Sequence, residues 1–276
     1  MSDPLPLGIH FGIPDEVYRA DPGVAQSDLK LMAISPAHCK ARLDDLDEDS
    51  DSEARVFGRA FHTRLLQPHL FDEQFIVKPE DYDGRKAEWK KWKAEVAGNR
   101  EPLSHDDARR VSGMRERLMA HAVFRAAYES HDSEVSIVQE FNVAGLPVRV
   151  KGRLDLVPRE GRCICDLKKT QVGKAHHTQW GKQVGNWGYY IQSPYYLDLF
   201  NSATNSDRDT FVHFAVEDRY PYEIGCYVLD EEAISIGRTK YQNLLLRYAE
   251  CVQTGVWPGY SETPIKISLP PWAKQM

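Results

Sequence analysis

Apolar positions along the chain follow two rhythms. Up to about residue 132 they mostly recur at three- and four-residue intervals, and from Ser133 they fall into short alternating runs. The first 25 residues, rich in Pro and Gly, read as an extended arm. Ser27 can cap a short helix over about Asp28–Ile34, and Pro36 opens a second one through Leu43. The acidic run from Asp44 to Glu53 reads as a loop. Helical spacing resumes over Glu53–Leu66 and stops at Pro68. Arg85–Val96 reads as a polar helix with Trp89 and Trp92 three apart. Ser104–Glu129 reads as a longer helix, with Asp106 and Asp107 in its first turn suiting the helix dipole.

The alternating half begins with Val135–Val143, a turn over Ala144–Pro147, and Val148–Val157, which together form a hairpin. A second turn at Arg159–Gly161 leads into Arg162–Lys168. An aromatic-rich helical stretch over about Ala175–Phe200 follows. Thr210–Val216 and Ile224–Leu229 add two strands, and a helix over about Asp230–Thr254 precedes the tail. Strands bracketed by helices predict an α/β fold, a central mixed β-sheet flanked by helices. With no repeat and no glycine-rich linker, the chain reads as one domain over 1–276. Its helical N-terminal portion covers about 1–132 and its sheet core about 133–276.

Composition narrows the class. Of 276 residues, 42% are hydrophobic and 28% charged, proportions of a globular chain rather than a disordered one. No run approaches the roughly 18 apolar residues of a membrane span, and the first residues lack the basic-then-apolar pattern of a secretory leader. Five scattered cysteines without a C-x-x-C argue against a disulfide framework or a structural zinc, so the expectation is a cytoplasmic protein with no membrane partner. The net charge of −6 is more than accounted for by seven acids between Asp44 and Glu53. Elsewhere Lys and Arg outnumber acids by ten to six over Arg85–Arg117 and by eight to three over Pro147–His177. Such separation fits a polyanion met on one face, and equally fits solvated helix faces.

The chemistry-bearing candidates lie in the alternating half. On a strand, Cys163, Cys165 and Leu167 would face the core while Ile164, Asp166 and Lys168 face the other way. Asp155, at the end of the preceding strand, would come beside Asp166. Two adjacent carboxylates repel unless a cation lies between them, and oxygen ligands favour Mg²⁺ or Mn²⁺. Lys168 could assist a nucleophile or developing charge. Two other acid-x-Lys triplets, Asp28-Leu-Lys30 and Glu88-Trp-Lys90, fall on helices and read as surface charges. His62 follows Gly58 by one helical turn, and Gln192 and Tyr196 are neighbours on one helix face. Taken singly, these features also describe a surface ion pair, a structural histidine and a packing face.

Taken in order, His62 in G-x-x-x-H, Gly152-Arg153-Leu154-Asp155, Asp166-Leu-Lys168 and Gln192-x-x-x-Tyr196 resemble the RecB-like branch of the PD-(D/E)XK nuclease superfamily. The stretches IPDEVYRADPGVAQSDLKLMAISPAH and CVQTGVWPGYSETPIKISLPPWA are similar to the exonuclease VIII (RecE) nuclease domain of phages and prophages. That resemblance implies a restriction-endonuclease-like core. It implies His62, Asp155 and Asp166 as metal ligands, with the Leu167 carbonyl as a further one, and Lys168 orienting or activating water. Gln192 and Tyr196 would support the lysine and contact DNA. Glu140 is the candidate for a second-metal or water-mediated contact, with Glu134 its competitor. The cofactor would be Mg²⁺, with Mn²⁺ substituting; Cys39 and Cys251 are too few for an iron–sulfur cluster. The partners implied are double-stranded DNA ends, further copies in a ring-like homo-oligomer, and a single-strand annealing protein. The implied activity is processive 5′→3′ degradation of linear duplex DNA in phage-type recombination in a bacterial host. A structure-specific or single-strand endonuclease of the same superfamily and an inactive DNA-binding module are the alternatives. The chain departs from the family where Lys169 precedes Thr170, since a small hydroxyl residue often follows the motif lysine.

Overall fold

In a computed structural model, residues 3–44, 52–79, 87–270 and 273 are described. Most of the acidic run (45–51) and the expected start of the polar helix (85–86) lie outside them. The N-terminal segment is not simply an extended arm. It carries β1 (Gly8–His10), α1 (Asp15–Ala20) and β2 (Val24–Ala25). Then come α2 (Gln26–Ile34), α3 (Pro36–Leu43), α4 (Glu53–Leu66) and the single turn α5 (Phe71–Gln74). Strands β3 (Phe75–Val77) and β4 (Glu101–Leu103) pair in parallel around α6 (Ala87–Trp92). Helices α7 (His105–Ala120) and α8 (Ala122–Glu129) lead into β5 (His131–Val143), β6 (Leu146–Pro158) and β7 (Cys163–Thr170). The chain closes with α9 (His177–Trp187), α10 (Tyr189–Thr204), β8 (Thr210–Glu217), β9 (Ile224–Val228) and α11 (Glu231–Thr254).

Capping chemistry sets several of these boundaries. Ser27 is not a cap: α2 starts at Gln26, two residues before the expected Asp28, and the Ala25 N–H donates to Asp28 Oδ2 at 2.7 Å. Ser104 caps α7 as expected, its Oγ accepting from the Asp107 N–H at 3.0 Å. The single helix expected to reach Glu129 breaks at His121, whose ring accepts from the Phe124 N–H and so caps α8. The hairpin turn is two residues long, Ala144 and Gly145, both at positive φ.

The seven-stranded mixed sheet runs β1-β5-β6-β7-β8-β9, with β2 paired to β6. Only β7–β8 and β2–β6 are parallel in it. Helices cover both faces. One core gathers Leu29 and Met32 of α2, Tyr195 and Leu199 of α10 and Leu244 of α11 against Val150, Leu154 and Ile164. The other gathers Phe57, Phe61 and Leu65 of α4 and Met114 and Leu118 of α7 against Leu156, Cys165, Leu167 and Phe214. The face of β7 bearing Ile164 and Asp166 is therefore covered, not open, and both residues are buried. The reason is that α10 packs over it.

Helix α10 is unusual in carrying Pro194 in its interior. Proline has no N–H, so the Tyr190 carbonyl loses its helical donor. Gly237 of α11 packs directly on that carbonyl: a Cβ there would lie 1.7 Å from the Tyr190 oxygen. Gly152 plays the matching part on the sheet, since a Cβ would lie 2.6 Å from Leu199 and 3.0 Å from Tyr196. Helix α10 is thus held between two close backbone approaches. Gly237→Ala will destabilise the protein by about 1–3 kcal/mol in urea unfolding. Gly181→Ala, at an open position on α9, will be neutral or stabilising by up to about 1 kcal/mol.

Candidate active site

The edge of β6 changes partner at the motif. Val150 and Lys151 pair with β2, and pairing to β7 is found at Leu156 with Cys165. Gly152–Asp155 occupies the interval. On the other edge, Ser133 pairs with Leu156 and Val135 with Leu154, while Glu134 and Asp155 stand between them unpaired. Glu134 has φ 50°, a left-handed backbone costing a bulky residue about 1–3 kcal/mol. Side-chain alternation breaks at the same place, with Leu154 and Val157 in one core and Leu156 in the other. Asp155 therefore lies inside β6 rather than at its end, and the distortion turns two opposed carboxylates toward α4.

There they meet His62. One donor atom from each of His62, Glu134 and Asp155 lies within 4.8 Å of the others, and His62 Nδ1 is 3.8 Å from Asp155 Oδ1. Asp155 Oδ2 accepts from the Leu167 N–H at 2.8 Å, which fixes the carboxylate against β7. Burial pushes the Glu134 carboxyl up to about 7; the Asp155 charge adds to this, and His62 and Arg153 oppose it. Asp155 is also raised, first by burial and then by Asp166, against the pull of His62 and Lys168. Two carboxylates and an imidazole nitrogen converging at a half-buried site fit a divalent cation, whose charge would offset what now disfavours ionisation.

Asp166 stands beside this group rather than in it. Its Oδ1 accepts from Gln192 Nε2 at 2.9 Å, and its Oδ2 touches the Lys168 ammonium and lies 3.6 Å from His213 Nδ1. Burial alone would raise this carboxyl; Lys168 and His213 outweigh it and hold Asp166 well below the usual carboxylate range. Lys168 answers in kind: burial would lower it, but Asp166 and Asp155 keep it above the ordinary lysine value. Its ammonium lies 5.0 Å from the centre of the Tyr189 ring, and Lys30 of α2 reaches the same ring at 5.4 Å. Burial, then the Lys168 charge, pulls Lys30 down to about 8. Tyr196 packs over Gly152, and burial with the nearby Tyr18, Asp166 and Asp155 keeps its hydroxyl protonated.

Six sequence candidates thus meet: His62, Asp155, Asp166, Lys168, Gln192 and Tyr196. The Leu167 peptide joins them through its N–H. Glu140 does not. It lies six residues along β5 from Glu134, opposite Arg149, about 20 Å away at strand rise, and is exposed near the hairpin end. Glu134, its competitor, is the glutamate that lies with His62 and Asp155. Counting back from the two-residue turn puts Glu134 opposite Asp155, a signal the sequence holds. Asp28-Leu-Lys30 is not a pair of surface charges either: Asp28 is buried as a cap, and Lys30 points to the site.

The basic stretches are largely spent within the fold. Arg149 bonds Asp21 and the Leu5 carbonyl, and Lys151 donates to the carbonyls of Tyr18, Arg19 and Asp21. Arg153 bonds Ser136, Asp15 and the Ile13 carbonyl, with Glu134 Oε2 at 4.0 Å. Arg110 pairs with Asp107 and Asp218, Arg59 with Glu101, and Arg64 stacks on Phe71. Lys90, Lys91 and Lys93 are exposed.

The shift at Glu134 has a measurable sign. Its folded value near 7 exceeds the ordinary 4.5, so protonation favours the folded state at low pH and that contribution is lost as pH rises toward 7. In EDTA, Glu134→Gln will be more stable than wild type at pH 8, by roughly 1–3 kcal/mol. The difference will shrink toward pH 5. Mn²⁺ at pH 8 will raise the melting temperature of wild type and much less that of the variant; equal shifts would rule Glu134 out as a ligand.

A crystal structure described as a "putative exonuclease" from Eubacterium rectale matches this chain with TM-score 0.63 and 15% identity, over 96% of this chain and 99% of that one. At that identity the likeness concerns the fold. A second solved structure, SSO0001, covers 68% of this chain and 86% of its own at 19% identity, but its TM-score of 0.29 carries no argument. No curated protein matches. The family described as a PDDEXK-like domain of unknown function (DUF3799) matches residues 25–265, a span that takes in every strand from β5 to β9 and all the residues gathered above, and the chain belongs to that family.

Proposed function

We propose that the protein is a Mg²⁺-dependent deoxyribonuclease that hydrolyses phosphodiester bonds from the ends of linear double-stranded DNA. The observation carrying this reading is the row of Glu134, Asp155 and Asp166 on three neighbouring strands, with Lys168 on the last and His62 above. The PDDEXK-like family supports it. A bound divalent cation would polarise a phosphoryl oxygen and lower the pKa of a water ligand. His62, Glu134 and Asp155 would hold that cation, with Asp166 beside them.

The protein's own groups would do the rest. Lys168 is held protonated, so it acts as a cation and not as a free base. It would leave Asp166 for the phosphate, orient the attacking water and stabilise charge on the phosphoryl oxygen. Gln192 holds Asp166 while this happens. Tyr196, a neutral phenol, can donate to the DNA strand. In-line attack would leave a 5′-phosphate product. The 5′→3′ direction, processivity through a ring of copies, and a single-strand annealing partner follow from the resemblance to the exonuclease VIII nucleases and are proposed on that basis.

Matched linear and covalently closed circular duplexes, with Mg²⁺ or EDTA, test the reading. Wild type will degrade only the linear form and only with metal. Lys168→Ala and Glu134→Ala will lower the rate at least 100-fold, whereas Glu140→Ala will leave it unchanged. Cutting of the circle would make the protein an endonuclease; inertness toward both would make the fold a binding module.

A further inference from the structure

Two buried polar atoms face each other behind the acid row. Asp166 Oδ2 and His213 Nδ1 are both enclosed and lie 3.6 Å apart; Oδ2 is met by the Lys168 ammonium, whereas Nδ1 has no hydrogen-bond partner among the described residues. His213 is 0% exposed. It stands on β8 in register with Asp166 on β7, ringed by Trp180, Tyr189 and Phe211. A buried polar atom without a partner is costly, and His213 Nδ1 relieves that cost by donating to the carboxylate oxygen it faces.

The other ring nitrogen decides which proton is available. His213 Nε2 lies 3.0 Å from Ser193 Oγ, whose hydroxyl also has the Tyr189 carbonyl as an acceptor at 3.0 Å. The Tyr189 carbonyl is one helical turn back and has the Ser193 N–H in the α10 ladder, so it does not depend on the hydroxyl. Turned to Nε2, the hydroxyl makes that nitrogen the acceptor and leaves the imidazole's own proton on Nδ1. The opposite tautomer would set a nitrogen lone pair against a carboxylate oxygen.

We propose that His213 is a positioning residue, its Nδ1–H donating to Asp166 Oδ2 in a chain that begins at the Ser193 hydroxyl. Lys168 rests on the same carboxylate oxygen. When Lys168 moves to the phosphate, His213 on Oδ2 and Gln192 on Oδ1 keep the Asp166 carboxylate from rotating. The catalytic consequence rests on the nuclease reading; the hydrogen bond rests on the packing alone.

Long-range ¹H–¹⁵N NMR of the metal-free, ¹⁵N-histidine-labelled protein reads the tautomer directly, with His213 identified by its loss in His213→Asn. A protonated Nδ1 and bare Nε2 are expected; the reverse overturns the proposal whether or not the protein cleaves DNA. In cleavage assays at saturating Mg²⁺, His213→Asn places an amide donor where Nδ1 was and will keep kcat within about tenfold of wild type. His213→Gln, whose amide reaches the Nε2 position, will lose roughly 100-fold in kcat with KM for DNA unchanged. Folded variants that lose activity equally, or not at all, would overturn the positioning role. Wild type without cleavage would overturn the nuclease reading instead, and the NMR tautomer would still decide the hydrogen bond.

Discussion

Partial burial and mutual repulsion of Glu134, Asp155 and Asp166, gathered on adjacent strands, govern what surrounds them. Each carboxylate has a different remedy. Asp166 has an ammonium and an imidazole against it and stays ionised. Asp155 takes a backbone N–H and faces His62. Glu134 has His62 and the Arg153 guanidinium 4.0 Å away, which do not offset its burial and the Asp155 charge, and it is driven toward its neutral form. The imbalance falls on the side of the row away from Lys168, which is where a cation would do most to relieve it. In the metal-free state Lys168 serves as Asp166's counter-ion, so the group that would act on substrate doubles as the one that keeps the resting site stable.

The N-terminal segment shares in this. Arg149, Lys151 and Arg153 project from one strand into carboxylates and carbonyls between Leu5 and Asp21. Read as sequence, these cations looked available to a polyanion. In the fold they fasten β1, α1 and β2 across β6, and Arg153 extends that clamp to Glu134. A basic residue count cannot tell a charge turned outward from one satisfied within, because pairing depends on which backbone carbonyls the fold brings near.

Much of the architecture was legible because it is local. The hairpin, the strand bearing Asp166 and Lys168, and helices over Pro36–Leu43 and Glu53–Leu66 follow from periodicity, proline positions and caps. The short strands β1 to β4 were not legible: two or three residues show no period, and their pairing is a tertiary outcome. The break at His121 escaped because a histidine cap resembles any helical residue. Within the site, ordered motifs located six side chains. Glu134 over Glu140 turned on hairpin register; Lys30 sat in an acid-x-Lys triplet that reads as surface charge, and His213 arrives from another strand without a motif of its own. The left-handed backbone at Glu134 has no sequence signature at all, since glutamate is not a residue chosen for that conformation.

The contact between Gly237 and the carbonyl released by Pro194 has a bearing on where the site ends in the chain. Helix α11 contributes no side chain to the acid row, yet it presses on the turn of α10 that carries Gln192 and Ser193. A chain cut after β9 would retain every residue named in the site and lose the brace that sets the reach from Gln192 to Asp166. The smallest transplantable unit of this centre therefore extends to Thr254, and an alignment of motifs alone would draw its boundary too early.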